Sequence, residues 1–181
     1  RAGASHPLVA DVGCRNTVYN AGRSGIKTGY ATKLTLTHNL IHDVMQQATD
    51  GGGIYTYGTD ARGGEIAYNV IYNSRSEGFG AVGVYLDNFS SRYVVHHNVV
   101  WNADHALKMN PTSRNNEIYN NTFVGVDYSV GTSKSGDMLG SVFRNNIFTK
   151  HAKIDPRSTK QNNLNPGTDP GFVNLAGGDL R

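Results

Sequence analysis

Five segments of the chain share one arrangement of apolar and polar positions: LTLTHNLIH (34–42), EIAYNVIY (65–72), YVVHHNVVW (93–101), EIYNNTFV (117–124) and SVFRNNIFT (141–149). Each centres on an asparagine, namely Asn39, Asn69, Asn98, Asn121 and Asn146 in turn. An apolar residue stands three positions before it (Leu36, Ile66, Val95, Ile118, Phe143) and another two after it (Ile41, Ile71, Val100, Phe123, Phe148). The asparagines lie 30, 29, 23 and 25 residues apart, and Asn16 with Val18 gives a weaker earlier copy. A second set falls between the first: GIKTG (25–29), GIYTYG (53–58), GVYLDN (83–88), ALKMNP (106–111) and YSVGT (128–132). Its apolar members Ile26, Ile54, Val84, Leu107 and Val130 follow at 28, 30, 23 and 23 residues, so two short strands recur per unit.

Strands of this length cannot bury a face alone, and stacking successive units closes a core. The pattern therefore predicts an all-β chain, a right-handed parallel β-helix: a single-stranded solenoid of about five to six coils over residues 1–150. Equivalent residues then sit about 4.8 Å apart in neighbouring coils, and a repeated asparagine can hydrogen-bond up and down the stack. A leucine-rich repeat would show helical periodicity, and a propeller blade needs about 40 residues. Residues 151–181 depart from the pattern and read as an irregular C-terminal segment with one closing strand near Phe172 and Val173.

Composition supports this reading. Among 181 residues stand 22 Gly and 19 Asn, residues that punctuate short extended segments and disfavour long helices. A formal charge of +3 without a basic run argues against nucleic acid as partner, and no apolar stretch reaches the roughly 20 residues of a membrane span. A single cysteine, Cys14, excludes an internal disulfide. A chain that starts at Arg1 and stops after Leu180 reads as a piece of a longer protein, with any targeting sequence outside it.

Side chains alternate along a strand, so with Val84 and Leu86 inside, Tyr85 and Asp87 face out. The same register predicts an outward column of Lys27, Tyr55, Tyr85 and Lys108, and beside it Gly29, Tyr57, Asp87 and Asn110. Exposed aromatic faces next to hydrogen-bonding groups suit sugar rings, and Tyr55, Tyr57, Tyr85, Asn88, Asn110, His105 and Lys108 are the expected substrate contacts.

The segments TDGGGIYTYGTDARGGEIAYNVIYN (49–73), AVGVYLDNFSSRYVVHHNVVWN (81–102) and DHALKMNPTSRNNEIYNNTFVG (104–125) resemble coils of bacterial right-handed parallel β-helix proteins of the pectate-lyase-like class. The nearest resemblance is to glycoside hydrolase family 141, which includes α-L-fucosidases and xylanases. It implies a secreted or periplasmic enzyme acting on a carbohydrate polymer or oligosaccharide, with Asp50 and Asp87 at the acidic positions of the family pattern. The family's second acidic residue in the later motif is Asn88 here. Glycoside hydrolysis requires two carboxyls, one to protonate the leaving oxygen and one to attack or to activate water. Gly51, Gly52 and Gly53 bend the chain after Asp50 so that the pair can approach.

Two other readings stand beside the hydrolase. A polysaccharide lyase would use Lys108 as base on a uronate polymer, supported by Lys27 or Arg62, with calcium on the oxygens of Asp87, Asn88 and Asn110 as a possible charge neutraliser. A binding or structural β-helix would carry no chemistry. No metal centre is expected otherwise: His38 and His42 have a zinc-like spacing, but they fall on a strand and its turn.

Overall fold

The computed structural model describes residues 13–78, 80–133, 138–165, 168, 170–175 and 177–180, so the first twelve residues of the expected coil region lie outside it. Among the described residues there is no helix, and the strands wind as predicted. The first coil holds β1 (Thr17–Ala21), β2 (Ile26–Gly29) and β3 (Thr35–Thr37). The second holds β4 (Leu40–Val44), β5 (Gly52–Tyr57) and β6 (Glu65–Ala67), and the third β7 (Val70–Ser74), β8 (Val82–Leu86) and β9 (Val94–His96). In the fourth and fifth coils the first two strands fuse, giving β10 (Val99–Met109) with β11 (Glu117–Tyr119), then β12 (Thr122–Gly131) with β13 (Val142–Arg144). These coils are shorter because they lack the loops that in earlier coils separate β4 from β5 and β7 from β8. A sixth coil is begun by β14 (Ile147–Phe148) and β15 (Thr159–Gln161). Every strand pairs in parallel with its equivalents one coil away.

The three predicted apolar columns form the interior. Leu36, Ile66, Val95, Ile118 and Phe143 stack in register along one sheet, and Ile41, Ile71, Val100, Phe123 and Phe148 along the other. All ten are at most 1% exposed. At the corner before Val84 the chain turns two consecutive residues inward. A Cβ on Gly83 would stand 2.3 Å from Val100 Cγ1, and one on Gly53 would stand 2.5 Å from Ile71 Cγ2. Only glycine fits there, and the corner leaves Val82 on the outer face beside Tyr55 and Tyr85.

The asparagine ladder pairs its buried amides with one another and with the backbone beside them. Asn98 Oδ1 accepts from both the backbone N–H and the Nδ2 of Asn69 (3.0 and 2.9 Å). Asn98 Nδ2 donates to Asn121 Oδ1 at 3.0 Å and to the Ile66 carbonyl of the preceding coil at 2.8 Å. The pattern repeats from Asn16 to Asn146. The residue before each ladder asparagine (His38, Tyr68, His97, Asn120, Asn145) is left-handed, with φ between 51° and 57°, which makes the corner sharp.

The C-terminal expectation needs correction. The coil pattern continues past residue 150: Val142, Phe143 and Arg144 pair with Thr159, Lys160 and Gln161, and Asn146 Nδ2 donates to Asn163 Oδ1 at 2.9 Å. The strand near Phe172 and Val173 is absent, and Val173 is 69% exposed. The extra ladder position escapes a search by spacing because Asn163 follows Asn146 by only 17 residues.

Candidate functional site

Strands β2, β5, β8 and β10 align Lys27, Tyr55, Tyr85 and Lys108 in one outward column, as the sequence predicts. Gly29 and Tyr57 pair in the column beside it, and Asp87 and Asn110 stand one step beyond the paired Leu86 and Met109. The register is as expected; the exposure is not. Tyr55 and Tyr85 face outward yet are only 6% and 3% exposed, while Tyr57 is 38% exposed. The two buried rings pack edge to face at 5.3 Å over Val82. The cationic ends of Arg23 and Lys27 lie 5.9 and 5.5 Å from the Tyr55 ring centre, and Lys108 Nζ lies 5.3 Å from that of Tyr85. Long side chains thus roof the tyrosines, and only Tyr57 of the three offers an open face.

Asp87 is the centre of the cluster. Its Oδ2 accepts from the Tyr55 hydroxyl at 2.7 Å and its Oδ1 from Asn110 Nδ2 at 2.9 Å, and the same Nδ2 donates to the Tyr85 hydroxyl at 2.5 Å. Although it faces outward, Asp87 is only 5% exposed. Burial first, and then the hydrogen bond to Asp87 and its negative charge, raise the pKa of both tyrosines, which keeps their hydroxyls protonated. Asn110 Oδ1 is buried without a partner.

The local chain explains the position of Asp87 but not this use of its carboxylate. Strand β8 ends in a turn in which Ser90 N–H returns to the Asp87 carbonyl at 3.0 Å. The same turn recurs at Asn110 with Ser113 and at Asp155 with Ser158. DNFS, NPTS and DPRS are its sequence signal. In the last of these, Asp155 does what a turn aspartate ordinarily does and accepts its own turn's Arg157 N–H at 3.0 Å. Asp87 makes no such bond and instead reaches sideways across two neighbouring coils.

Asp50 shares the face but not the burial. It precedes Gly51, its side chain is half exposed, and Arg23 holds it with Nη2 3.4 Å from Oδ2 and Nε 2.9 Å from the carbonyl. Its charge acts on Tyr55, Tyr85 and Lys108, as that of Asp87 does. Burial pushes Lys108 below the ordinary lysine pKa, with the two aspartates pulling the other way. The structure therefore brings Tyr55, Tyr85, Asp87, Lys108 and Asn110 together, and Asp50 adjoins them through Arg23, which pairs with it and lies over the Tyr55 ring. Asn88 contributes its backbone carbonyl, which accepts from Gly58 N–H at 2.9 Å. His105 stands one outward column away, stacked on Tyr128 at 5.1 Å; burial and then Lys108 bring its pKa down to about 4, so it is neutral at pH 7.

Calcium does not suit this donor set. Both Asp87 oxygens already take hydrogen bonds, Asn110 turns its nitrogen toward them, and the cation needs six to eight oxygens. Among the described residues no group of three or more His, Cys, Asp or Glu could hold a metal. His42 lies instead in a stack with Tyr19, Tyr72 and Trp101.

Sequence reasoning missed that stack and also Asp104. The Asp104 carboxylate is buried and accepts from Ser76 N–H and Ala81 N–H at 3.1 and 2.7 Å and from Arg75 Nε at 2.8 Å, fixing the loop that enters β8. The aromatic stack borders a groove of about 760 Å³ lined by Trp101, Val126 and Leu175 among others. Its rings lie nearly parallel at 4.3–5.3 Å, so each covers its neighbour's face, and Gly178 packs against the Trp101 indole. Such a column stabilises coil stacking; its inner rings present edges, and Tyr19 at its end is 58% exposed.

Residues 13–164 match the family model described as a right handed beta helix region, and the chain belongs to that family. No curated protein and no solved structure matches it.

Proposed function

We propose that this right-handed β-helix protein is a carbohydrate-active enzyme, a glycoside hydrolase that works outside the cytoplasm with Asp87 and Asp50 as its two carboxyls. One carboxyl protonates the leaving glycosidic oxygen, and the other attacks the anomeric carbon or activates the water that does. What carries this reading is Asp87. Its turn has no use for the carboxylate, which is nearly out of water and accepts from Tyr55 and Asn110 on a face that otherwise has no reason to bury a charge. Tyr57 offers the neighbouring sugar an open ring.

The lowered pKa of Lys108 supports a second reading, elimination from a uronate polymer. There the neutral amine takes the proton beside the uronate carboxyl, the C4–O bond breaks, a C4–C5 double bond forms and the leaving oxygen takes up a proton. Product chemistry and pH separate the two. Hydrolysis gives new reducing ends without an ultraviolet-absorbing unsaturated sugar, and Lys108→Arg, which keeps the cation, retains most of the rate. Elimination gives the absorbing product, rises with pH as Lys108 loses its proton, levels off above its lowered pKa, and is abolished by Lys108→Arg. We expect the first pattern on a panel of neutral and acidic glycans; the second would replace the hydrolase with the lyase.

A further inference from the structure

The aromatic column and the polar column beside it stop at the same coil, and the groove of about 760 Å³ lies where they stop. Tyr19, His42, Tyr72 and Trp101 pair coil to coil, with ring centres 4.3–5.3 Å apart and planes within 12° of parallel. That spacing is the spacing of the coils, ~4.8 Å, so the rings lie face on face along the solenoid axis. The next place in the column belongs to Val124, which pairs with Trp101, and the one after it to Thr149. Neither side chain reaches as far from the sheet as a ring does. The indole face turned away from Tyr72 therefore looks onto a ring-sized place that Val124 does not fill, flanked by Val126 and Leu175.

Beside each ring stands a left-handed corner residue, Asn20, Asp43, Asn73 and Asn102 in turn, with φ between 49° and 54°. Asp43 fixes the polarity of this column. Both its oxygens accept, Oδ2 from His42 Nδ1 at 2.6 Å and Oδ1 from Asn73 Nδ2 at 2.9 Å. Asn73 is thereby oriented so that its Oδ1 accepts from Asn102 Nδ2, at 2.7 Å. This leaves Asn102 Oδ1 as the acceptor for whatever stands in the fifth coil. There the column has Gly125, where a Cβ would run into the Tyr128 carbonyl, so the protein sets no side chain at that place. In the sixth coil Lys150 follows, exposed and without an ion pair among the described residues. Thr149 Oγ1 also lines the groove, shielded from solvent and without a hydrogen-bond partner among the described residues.

We infer that the groove is a binding site for a small planar aromatic carboxylate with a hydrogen-bond donor beside its acid group. The ring takes the fifth-coil place in the stack, face to face with Trp101 and over Val124. Its polar edge lies at Gly125, with the donor on Asn102 Oδ1 and the carboxylate on Lys150 Nζ, and the Thr149 hydroxyl donates to the same carboxylate. A sugar fits worse. A pyranose carries hydroxyls around its whole rim, and the apolar floor and flanks would leave several of them unpaired. The site uses none of the Asp87 face and stands whether or not that face is catalytic.

Trp101 is the sole tryptophan, so its emission reports on this groove alone. The probe is anthranilate, whose amino group keeps one N–H free beside the carboxylate; benzoate lacks the donor, and cyclohexanecarboxylate lacks the flat ring. Titrated into the full chain, anthranilate is expected to quench Trp101 by energy transfer and to saturate. Calorimetry is expected to show benzoate binding about fivefold more weakly, and cyclohexanecarboxylate and xylohexaose not binding. Lys150→Gln should weaken anthranilate about tenfold, and Asn102→Gly, which keeps the left-handed backbone, should bring anthranilate down to the affinity of benzoate. Val124→Tyr puts the chain's own ring into the stack and is expected to abolish binding with an unchanged or higher melting temperature. Absence of saturable anthranilate binding, equal binding of cyclohexanecarboxylate, or unchanged affinity in Lys150→Gln and Val124→Tyr would overturn the inference. Should Val124→Tyr lower the melting temperature, the affinities of Lys150→Gln and Asn102→Gly decide alone.

Discussion

Asp87→Asn is expected to lower turnover by roughly 10²–10⁴-fold, the range that a positioned proton-transfer or nucleophilic carboxyl supplies, while leaving the fold intact. The substitution is nearly isosteric, and the cluster can absorb it. Asn110 Nδ2 donates to an acceptor at the Oδ1 position, 2.9 Å away, which the new amide oxygen fills. The new amide nitrogen then faces the Tyr55 hydroxyl at 2.7 Å, and a hydroxyl can accept as well as donate. Hydrogen bonding survives and the negative charge is lost. The check is reducing-end release together with thermal unfolding of the same preparation. Wild-type turnover in the variant would remove Asp87 from the chemistry, and a large fall in melting temperature would recast it as a structural anchor.

Asn98→Ala is expected to cost about 4 kcal/mol of stability, far more than loss of the amide at the end of the ladder. Asn98 is fully buried in the middle of the stack. Without its side chain, the Asn69 backbone N–H and one Asn69 Nδ2 hydrogen lose their acceptor, and the Ile66 carbonyl loses a donor. Each buried group left unpaired costs about 1–3 kcal/mol, and the small cavity adds to this. Asn16→Ala at the exposed end leaves no buried group unpaired and is expected to cost about 1 kcal/mol or less. Urea unfolding of both variants measures the contrast; equal losses would mean that the amides are interchangeable surface groups rather than a cooperative column.

The fold was legible because a solenoid writes itself into sequence as spacing. Apolar positions fixed to Asn39, Asn69, Asn98, Asn121 and Asn146 located both sheets and the ladder, and alternation from Val84 placed Tyr85 and Asp87 on the outer face. Spacing says which side of a strand a residue takes, not what lies over it. Arg23, Lys27 and Lys108 reach over Tyr55 and Tyr85 from neighbouring coils and set their cationic ends above the rings, and no alternation pattern encodes that reach. The left-handed backbone of Tyr30, Arg62 and Phe89 was hidden for a related reason. Corner residues fall between the strands whose repeats were being aligned, and nothing in their identity announces positive φ. The DNFS, NPTS and DPRS turns could have marked the Asp87 column, since each sets Asp or Asn three positions before a buried serine.

The most direct measurement is the position of a bound oligosaccharide, located by crystallography or by chemical-shift mapping on the Asp87→Asn protein so that substrate survives. The sugar should contact Tyr57 and the edge formed by Asp87 and Asn110. A sugar seated instead in the groove between Trp101, Val126 and Leu175, with the Asp87 face unperturbed, would contradict the account.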